Sequence, residues 1–434
     1  MFDQNRPADQ FAPPRATVDE ALLELGHLTP AFLATAQATS AAGQAPLTDV
    51  LLAEGTISSD DLADAQALST GAMRFAPDEH AIDVRLIDLL GPDACINLGI
   101  LPLNTPGGAT LIATARPDRF AAVRHWLANK LGPVRMVIAS EAQIHAGLLP
   151  LRQRALARDA ETRVDAAESC RGWSPRRFIG VFAAVFLAAA TLAFAFPVFA
   201  FSILAAWAIV TLIATIGLRT AAAILQMRAL KRGTVSETHP ASTSARLPVV
   251  SLLVPLFRER EIAATLINRL KQLDYPAGCL DICLVVEEDD VLTQDTLANA
   301  RLLPSMRQII VPRAMLQTKP RAMNYALDFA RGSIIGVYDA EDAPAPDQIR
   351  RVAQRFMAAG HDLACVQAVL DFYNAESNWL SRCFTVEYAT WFRIILPGLE
   401  RMGLVVPLGG TSLFFRRAAI EALGGWDAHN VTED

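Results

Sequence analysis

The sequence predicts an α/β protein with a mostly parallel sheet, joined to a transmembrane helical hairpin and a small N-terminal α+β domain. Three observations carry that prediction. Residues 178–218 hold no charged side chain. From Pro248 onward, short apolar runs alternate with amphipathic segments, the pattern of strands and helices in a sheet covered on both faces. Residues 18–38 recur, in altered form, at 47–67.

Composition sets the frame for these elements. A chain of 434 residues exceeds one ordinary core, and a prior of about 150 residues per domain predicts two or three units. Apolar residues make up 52% and charged ones only 19%, which points to a membrane part. The net charge of −6 advertises no basic surface and argues against a nucleic-acid partner. Cys95, Cys170, Cys279, Cys283, Cys365 and Cys383 form no CxxC pair, so inert thiols in a reducing cytoplasm are expected. The polar, Pro-rich start, MFDQNRPADQFAPP, lacks the apolar stretch of a signal peptide, and residues 1–16 read as disordered.

The first folded unit is predicted over 17–150. VDEALLELGHLTPAFLATAQA (18–38) aligns with LTDVLLAEGTISSDDLADAQA (47–67) at a shift of 29, matching Leu22 with Leu51, Gly26 with Gly55 and Gln37 with Gln66. Each copy reads as helix, Gly stop, Thr or Ser N-cap, and second helix, with Ser58 and Asp61 spaced as a capping box. RLIDLL (85–90), INLGILPLNTPGGATLIATARP (96–117), a helix near 118–130, VRMVIAS (134–140) and a helix from Glu141 follow. This α/β order carries no nucleophile or metal cluster and suits a docking module. Residues 151–177 read as a linker.

The charge-free run 178–218 would make a single helix of roughly 60 Å, twice the ~30 Å of a bilayer core. Two spans fit, with a reversal near Pro197. Arg171, Arg176 and Arg177 flank one end and Arg219, Arg228, Lys231 and Arg232 the other, so the positive-inside rule puts both terminal domains in the cytoplasm. A second linker is expected over 219–247, and the last domain over 248–434.

In that domain VVSLLVP (249–255), DICLVVEEDD (281–290), RQIIVP (307–312), SIIGVYDAED (333–342) and LACVQAVL (363–370) read as strands, separated by helices at 261–273, 321–332 and from Asp347. Two strands end in acids. Ligands of such sheets bind beyond the carboxyl ends of the strands. Glu287, Glu288, Asp339 and Glu341 there could converge on one crevice, where hard oxygens suit Mg²⁺ or Mn²⁺ on a diphosphate. Lys319 and Arg321, in TKPRAMNYAL, open the helix leading into the second acidic strand and suit phosphate oxygens.

The order of these motifs resembles the catalytic domain of family 2 glycosyltransferases, in the membrane-embedded, cellulose-synthase-like processive branch. The resemblance rests on VSLLVPLFRERE, VVEEDD in place of paired aspartates, TKPRAMNYAL, YDAED for the Asp-x-Asp motif, GGTSLFFRR, and GGWDAHNVTED ending in Thr-Glu-Asp. It implies a GT-A-like, nucleotide-diphospho-sugar transferase fold. It further implies a UDP- or GDP-sugar donor, a glycan or lipid-linked acceptor at the bilayer, and inversion at the sugar carbon. Carried onto this sequence, Glu287, Glu288, Lys319, Arg321 and Asp339 would bind the donor and Asp339 and Glu341 the metal. Gly410, Thr411 and Trp426 would border the acceptor, and Asp434, with Glu433 beside it, would supply the general base. The location implied is the bacterial inner membrane.

Residues 17–150 are similar to the N-terminal domain of type II secretion and pilus ATPases, a module that binds cyclic di-GMP in some members or docks a protein partner. Binding members open the hairpin helix with Arg-Leu-Gly, where this chain has Thr17-Val18-Asp19 and Pro46-Leu47-Thr48; no G-x-x-x-x-G-K-[ST] occurs. Processive transferases continue past Thr-Glu-Asp with Gln-x-x-Arg-Trp and further spans. The sequence therefore reads as a fragment of a longer protein, inactive as it stands if its base frays at the terminus. The aromatic-rich segment 378–399 suits an interfacial helix or a core one. A competing reading is a non-catalytic membrane adaptor with a degenerate transferase domain. A soluble dinucleotide-binding dehydrogenase is excluded, because no G-x-G-x-x-G follows the first strand after Pro248.

Overall fold

A computed structural model describes residues 17–43, 45–104, 108–172, 175–232, 246–259, 262–372 and 374–430. Residues 1–16, read above as disordered, and the terminal Glu433 and Asp434 lie outside the described residues.

The repeat folds as four helices, α1 (Val18–Glu24), α2 (Pro30–Gly43), α3 (Leu47–Ala53) and α4 (Ser59–Thr70). Gly26 and Gly55, equivalent under the repeat, have φ of +74° and +69°, the left-handed conformation that ends each first helix. Ser58 N donates to Asp61 Oδ2 at 2.8 Å while Asp61 N donates to Ser58 Oγ at 3.1 Å, completing the capping box.

Next come β1 (Met73–Arg74), α5 (Val84–Leu90), α6 (Pro92–Leu98), β2 (Ile100–Leu103), β3 (Thr110–Thr114), α7 (Pro117–Leu131), β4 (Val134–Ile138) and α8 (Glu141–Thr162). The strands order β1-β4-β3-β2, with β1 and β3 parallel to β4 and β2 antiparallel to β3. Helix α8 runs through the expected domain boundary at residue 150. Pro150 sits inside it, and Leu156, Ala157 and Ala160 extend the buried face begun by Ile144 and Leu148, so the linker reading fails as far as Thr162.

The charge-free run forms α9 (Pro175–Ala195) and α10 (Pro197–Lys231), parted by Phe196 alone. Pro197 stands in the first turn of α10, where a missing N–H costs nothing. Both helices are long and apolar enough to cross a membrane by length and composition, and their apolar windows are 0% and 6% buried. At 35 residues α10 outruns the charge-free stretch. Its last third is helix instead of linker because it docks on protein: Ala222, Gln226 and Ala229 are buried.

The remaining elements are β5 (Val250–Leu256), α11 (Ile262–Leu270), β6 (Leu280–Glu287), α12 (Val291–Ala298), β7 (Met306–Val311), α13 (Lys319–Phe329), β8 (Ile334–Val337), α14 (Gln348–Ala359), β9 (Cys365–Gln367), α15 (Trp379–Thr390), α16 (Leu396–Arg401), β10 (Leu413–Arg416) and α17 (Arg417–Ala422). A π-helical turn, Trp391–Ile395, joins α15 to α16. Six strands order β7-β6-β5-β8-β10-β9. The first four are mutually parallel, whereas β10 runs antiparallel to both β8 and β9, so the sheet is mixed.

The period-2 pattern of β5 divides its side chains between two cores. Val250, Leu252, Val254 and Leu256 join a cluster with residues of α11, α14 and the helical repeat, while Leu253 joins one with α13, α8 and α6. Every residue of α13 from Pro320 to Phe329 is buried, since the sheet covers one side and α8 and α6 pack against it too.

Candidate active site

The chain lays β5, β6 and β7 in one direction across the sheet and then places β8 on the other side of β5. That reversal falls between β5 and β8, and the carboxyl ends of the strands there are the expected ligand position in an α/β sheet. The acidic turn after β8 sits at this point, and the acids after β6 lie one strand farther along.

The four acids ending β6 do four different things. Glu287 is buried and ion-paired with Arg321, whose Nη1 lies 3.2 Å from both carboxylate oxygens. Glu288 accepts from Arg313 N at 2.9 Å. Asp289 accepts from Gln317 Nε2 at 3.0 Å. Asp290 caps α12 and also accepts from Arg258 N at 2.6 Å, holding the loop after β5, where Arg258 has φ of +57°. Burial pushes the Glu287 carboxyl up to about 7, with Arg321 pulling in the other direction and Asp289 adding to the rise.

Arg321 is 0% exposed. Besides Glu287, its guanidinium donates to the Pro312 carbonyl, and its Nε, which lacks a hydrogen-bond partner, lies 3.4 Å from Glu161 Oε1 on α8. Two residues earlier, Lys319 Nζ lies 2.7 Å from Asp339 Oδ1 and 3.3 Å from the Gly410 carbonyl. The first turn of α13 therefore joins the acids of β6 to those of β8.

Behind Asp339 the turn is closed by a residue that sequence reasoning did not select. Asp342 Oδ2 accepts from Asp339 N at 3.0 Å and from the Thr411 hydroxyl, and Thr411 Oγ1 accepts from Asp339 N at 3.2 Å. Burial raises the Asp342 carboxyl above its ordinary range, against the pull of its bonds to Thr411 and Asp339. The spacing of three residues from Asp339 was the available signal, that of an Asp closing its own turn. Glu341 is exposed; its carbonyl accepts from Arg269 Nη1 at 2.7 Å.

Asp339, Gly410 and Thr411 form one end of a cavity of about 1130 Å³. Its other walls come from Arg219, Ala223, Ile224 and Met227 of α10 and from Glu387, Tyr388, Trp391, Phe392 and Ile395. Arg219 stands over the Trp391 ring at 5.8 Å. Trp426, expected at the acceptor, is not among the lining residues. It is buried in the core edge-on to Phe415, at 5.8 Å between ring centroids, and its main chain is bonded to Asn324. Glu433 and Asp434 lie outside the described residues.

Residues 248–434 match the family described as glycosyltransferase like family 2. The C-terminal domain is a glycosyltransferase family 2 domain. Relatives of this family 2 domain include beta-monoglucosyldiacylglycerol synthase of Trichormus variabilis, 29% identical over 193 residues, which cover 43% of this chain and 40% of that protein. Another is the probable glucomannan 4-beta-mannosyltransferase 1 of Arabidopsis thaliana, 25% identical over 43% of this chain and 35% of that one. The chain thus spans less than half the length of these relatives. Among solved structures, the mannosyltransferase PcManGT from Pyrobaculum calidifontis in complex with GDP-Man and Mn²⁺ is similar at 21% identity, over 53% of this chain and 61% of that one, with a TM-score of 0.39. MshE with cdg is similar at 24% identity, over 32% of this chain and 99% of that one, with a TM-score of 0.28.

The family 2 domain has a GT-A-like α/β fold built on the mixed sheet. Among its described residues no group of three His, Cys, Asp or Glu side chains could hold a metal ion by itself. A Mg²⁺-type ion that arrives with a diphosphate needs only one or two carboxylates from the protein. Asp339 is ion-paired with Lys319, and Glu341, two positions on, is exposed.

Proposed function

We propose that this chain transfers a sugar from a UDP- or GDP-sugar to a membrane-associated acceptor, a glycan or a lipid-linked molecule, with inversion. One observation carries the reading: in a family 2 domain, the first turn of α13 pairs Lys319 with Asp339 at the switch point of the sheet and Arg321 with Glu287 one strand away. In this reading Lys319 and Asp339 meet the diphosphate, while Arg321 and Glu287 hold the turn that presents them. Glu288 stands near the nucleoside. Asp339 and Glu341 would hold Mg²⁺ or Mn²⁺, which supplies charge to offset that of the departing diphosphate.

An acceptor hydroxyl attacks the anomeric carbon, the bond from that carbon to the β-phosphate oxygen breaks, and its electron pair leaves with the nucleoside diphosphate. The acceptor proton passes to a carboxylate, assigned to Asp434. Gly410 and Thr411 border the acceptor, which enters by the cavity between α10 and the 391–395 turn. Helices α9 and α10 cross the bacterial inner membrane, and α15 lies along its cytoplasmic surface. Exposure of Trp379 (78%) and Val386 (67%) supports that position. The relatives' names, one for a lipid acceptor and one for a glucomannan, support a membrane-proximal acceptor of either class. The N-terminal unit is a regulatory or docking module for cyclic di-GMP or a protein partner.

Membranes carrying the full chain, incubated with radiolabelled UDP- and GDP-sugars and Mg²⁺ or Mn²⁺, test this. Label retained in lipid or polymer, and lost in Asp339→Asn, is the expected result. Neither transfer nor donor hydrolysis with any donor would favour the adaptor reading instead.

A further inference from the structure

The helix that carries Lys319 and Arg321 is braced from outside its own domain. Arg163, just after α8, is ion-paired with Asp328 and donates from Nη1 to the Asn324 carbonyl at 3.2 Å. Asn324, 0% exposed, donates from Nδ2 to the Ala160 carbonyl at 3.0 Å and to the Trp426 carbonyl at 2.7 Å, and accepts from Trp426 N at 2.8 Å. Glu161 faces the Nε of Arg321.

The same stretch holds the turn after α17. Ser169 Oγ donates to Asp427 Oδ1 at 2.7 Å and Cys170 N to Asp427 Oδ2 at 2.6 Å. Gly424 and Gly425, at φ of +79° and +81°, lie so close to Arg163 that a Cβ on Gly424 would stand 2.8 Å from the Arg163 carbonyl oxygen. The turn in its place returns to α13: the hydroxyl of Thr318, which caps the helix, donates to the Ala428 carbonyl at 2.7 Å.

Resting on the sugar-transfer reading, we propose that residues 160–170 form a strap that sets the position of the donor-binding turn of α13, and that Arg163 and Asp427 are positioning residues for transfer. Two features favour this over plain packing. The strap's contacts are polar and directional, and they fall on Arg321, Asn324 and Asp328 along one helix and on the turn that caps its start. The strap also leads within a few residues into α9, so a displacement of either the N-terminal unit or the membrane helix reaches α13 through the bonds of Arg163 to Asp328 and Asn324 and of Ser169 and Cys170 to Asp427. Arg163 touches neither Asp339 nor the cavity beside it.

The test uses the full chain in nanodiscs, comparing Arg163→Ala, Arg163→Lys and Asp427→Asn with the parent. Hydrogen exchange should rise at least about tenfold in 319–329 and 424–430 in Arg163→Ala, with β5 and β6 unchanged, and Arg163→Lys, which keeps a charge for Asp328, should recover part of the protection. Binding of the donor nucleotide, UDP or GDP, should weaken about tenfold in Arg163→Ala and Asp427→Asn. Unchanged exchange in α13 overturns the strap. Raised exchange with unchanged nucleotide affinity also overturns it, by reducing the contacts to packing. If the parent binds neither nucleotide, the sugar-transfer reading fails on its own, and exchange in α13 still decides whether the strap exists.

Discussion

The ammonium of Lys319 lies 2.7 Å from Oδ1 of Asp339, so the start of α13 and the acidic turn after β8 are tied where the strand order reverses. The charge that three clustered acids at a strand end require is thus met in part from within the chain. In the sugar-transfer reading this ammonium would face the donor diphosphate and this carboxylate its divalent cation.

Asp339→Asn should lower transfer by about 100-fold or more, the usual scale for losing a metal-binding or charge-stabilising group. Lys319→Met should act mainly on the donor, raising its KM by about tenfold with a smaller change in kcat. Steady-state assays with labelled donor, run at several metal concentrations, separate the two. Equal effects of both variants on KM and kcat would count against the assigned roles.

The junction of α10 with α16 depends on a missing side chain. A Cβ on Gly398 would lie 2.3 Å from the carbonyl oxygen of Ala222, and Gln226 of α10 donates to the Arg393 carbonyl of the π-helical turn at 3.3 Å and accepts from Arg401 Nε of α16 at 2.9 Å. Gly398→Val should push α16 away and distort the cavity that ends at Asp339, at a cost of about 1–3 kcal/mol. Donor hydrolysis should persist while transfer to membrane acceptors falls. Full transfer in this variant would detach the cavity from the acceptor.

Glu141, at the start of α8, is 2.7 Å from Arg331 Nη2 and 3.9 Å from Arg116 Nη2. Burial alone would raise its carboxyl, but Arg331 and Arg116 outweigh that and hold it at about 2, below an ordinary value of 4.5. A depressed carboxylate adds stability that is present above about 4.5 and lost as the pH falls towards about 2. Thermal unfolding in detergent should therefore show a steeper acid decline in the parent than in Glu141→Gln. Parallel declines would remove this pair from the acid sensitivity of the contact between α8 and the transferase domain.

Much of this arrangement was legible in the sequence, for physical reasons that differ by element. Buried parallel strands read as apolar runs, so β5, β6 and β8 stand out, as do the acids ending β6 and β8, and the repeat announced itself through Gly26 and Gly55. The partners of the acids did not. Arg321 reaches Glu287 across 34 residues, and Arg163 reaches Asp328 across 165, distances over which sequence pattern carries no pairing information. Trp426, expected at the acceptor, packs on Phe415 in the core, and an aromatic next to Gly-Gly looks the same in either setting. Residues 151–177 read as a linker, yet α8 runs through Pro150 to Thr162 with Leu156 and Ala160 buried.

The Glu287–Arg321 pair makes a prediction with a definite sign. Burial lifts the Glu287 carboxyl from an ordinary 4.5 to about 7, so between those values the folded chain keeps a proton that the unfolded chain has released. Its contribution to stability is complete below about 4.5 and is lost as the pH rises through about 7, a swing of about 3 kcal/mol at 1.36 kcal/mol per pH unit. Asp328, raised to about 6 by burial against the pull of Arg163, titrates in the same direction and must be subtracted. Glu287→Gln keeps an oxygen for Arg321 but cannot titrate, so the difference between parent and variant isolates Glu287. Unfolding followed from pH 4.5 to 8 should show the parent losing stability relative to the variant across that window. If the difference is flat, or rises with pH, Glu287 is already ionised at neutral pH and the pair is a conventional salt bridge. In that case Arg321 holds the turn through the charge of Glu287 as well as through its bond to the Pro312 carbonyl.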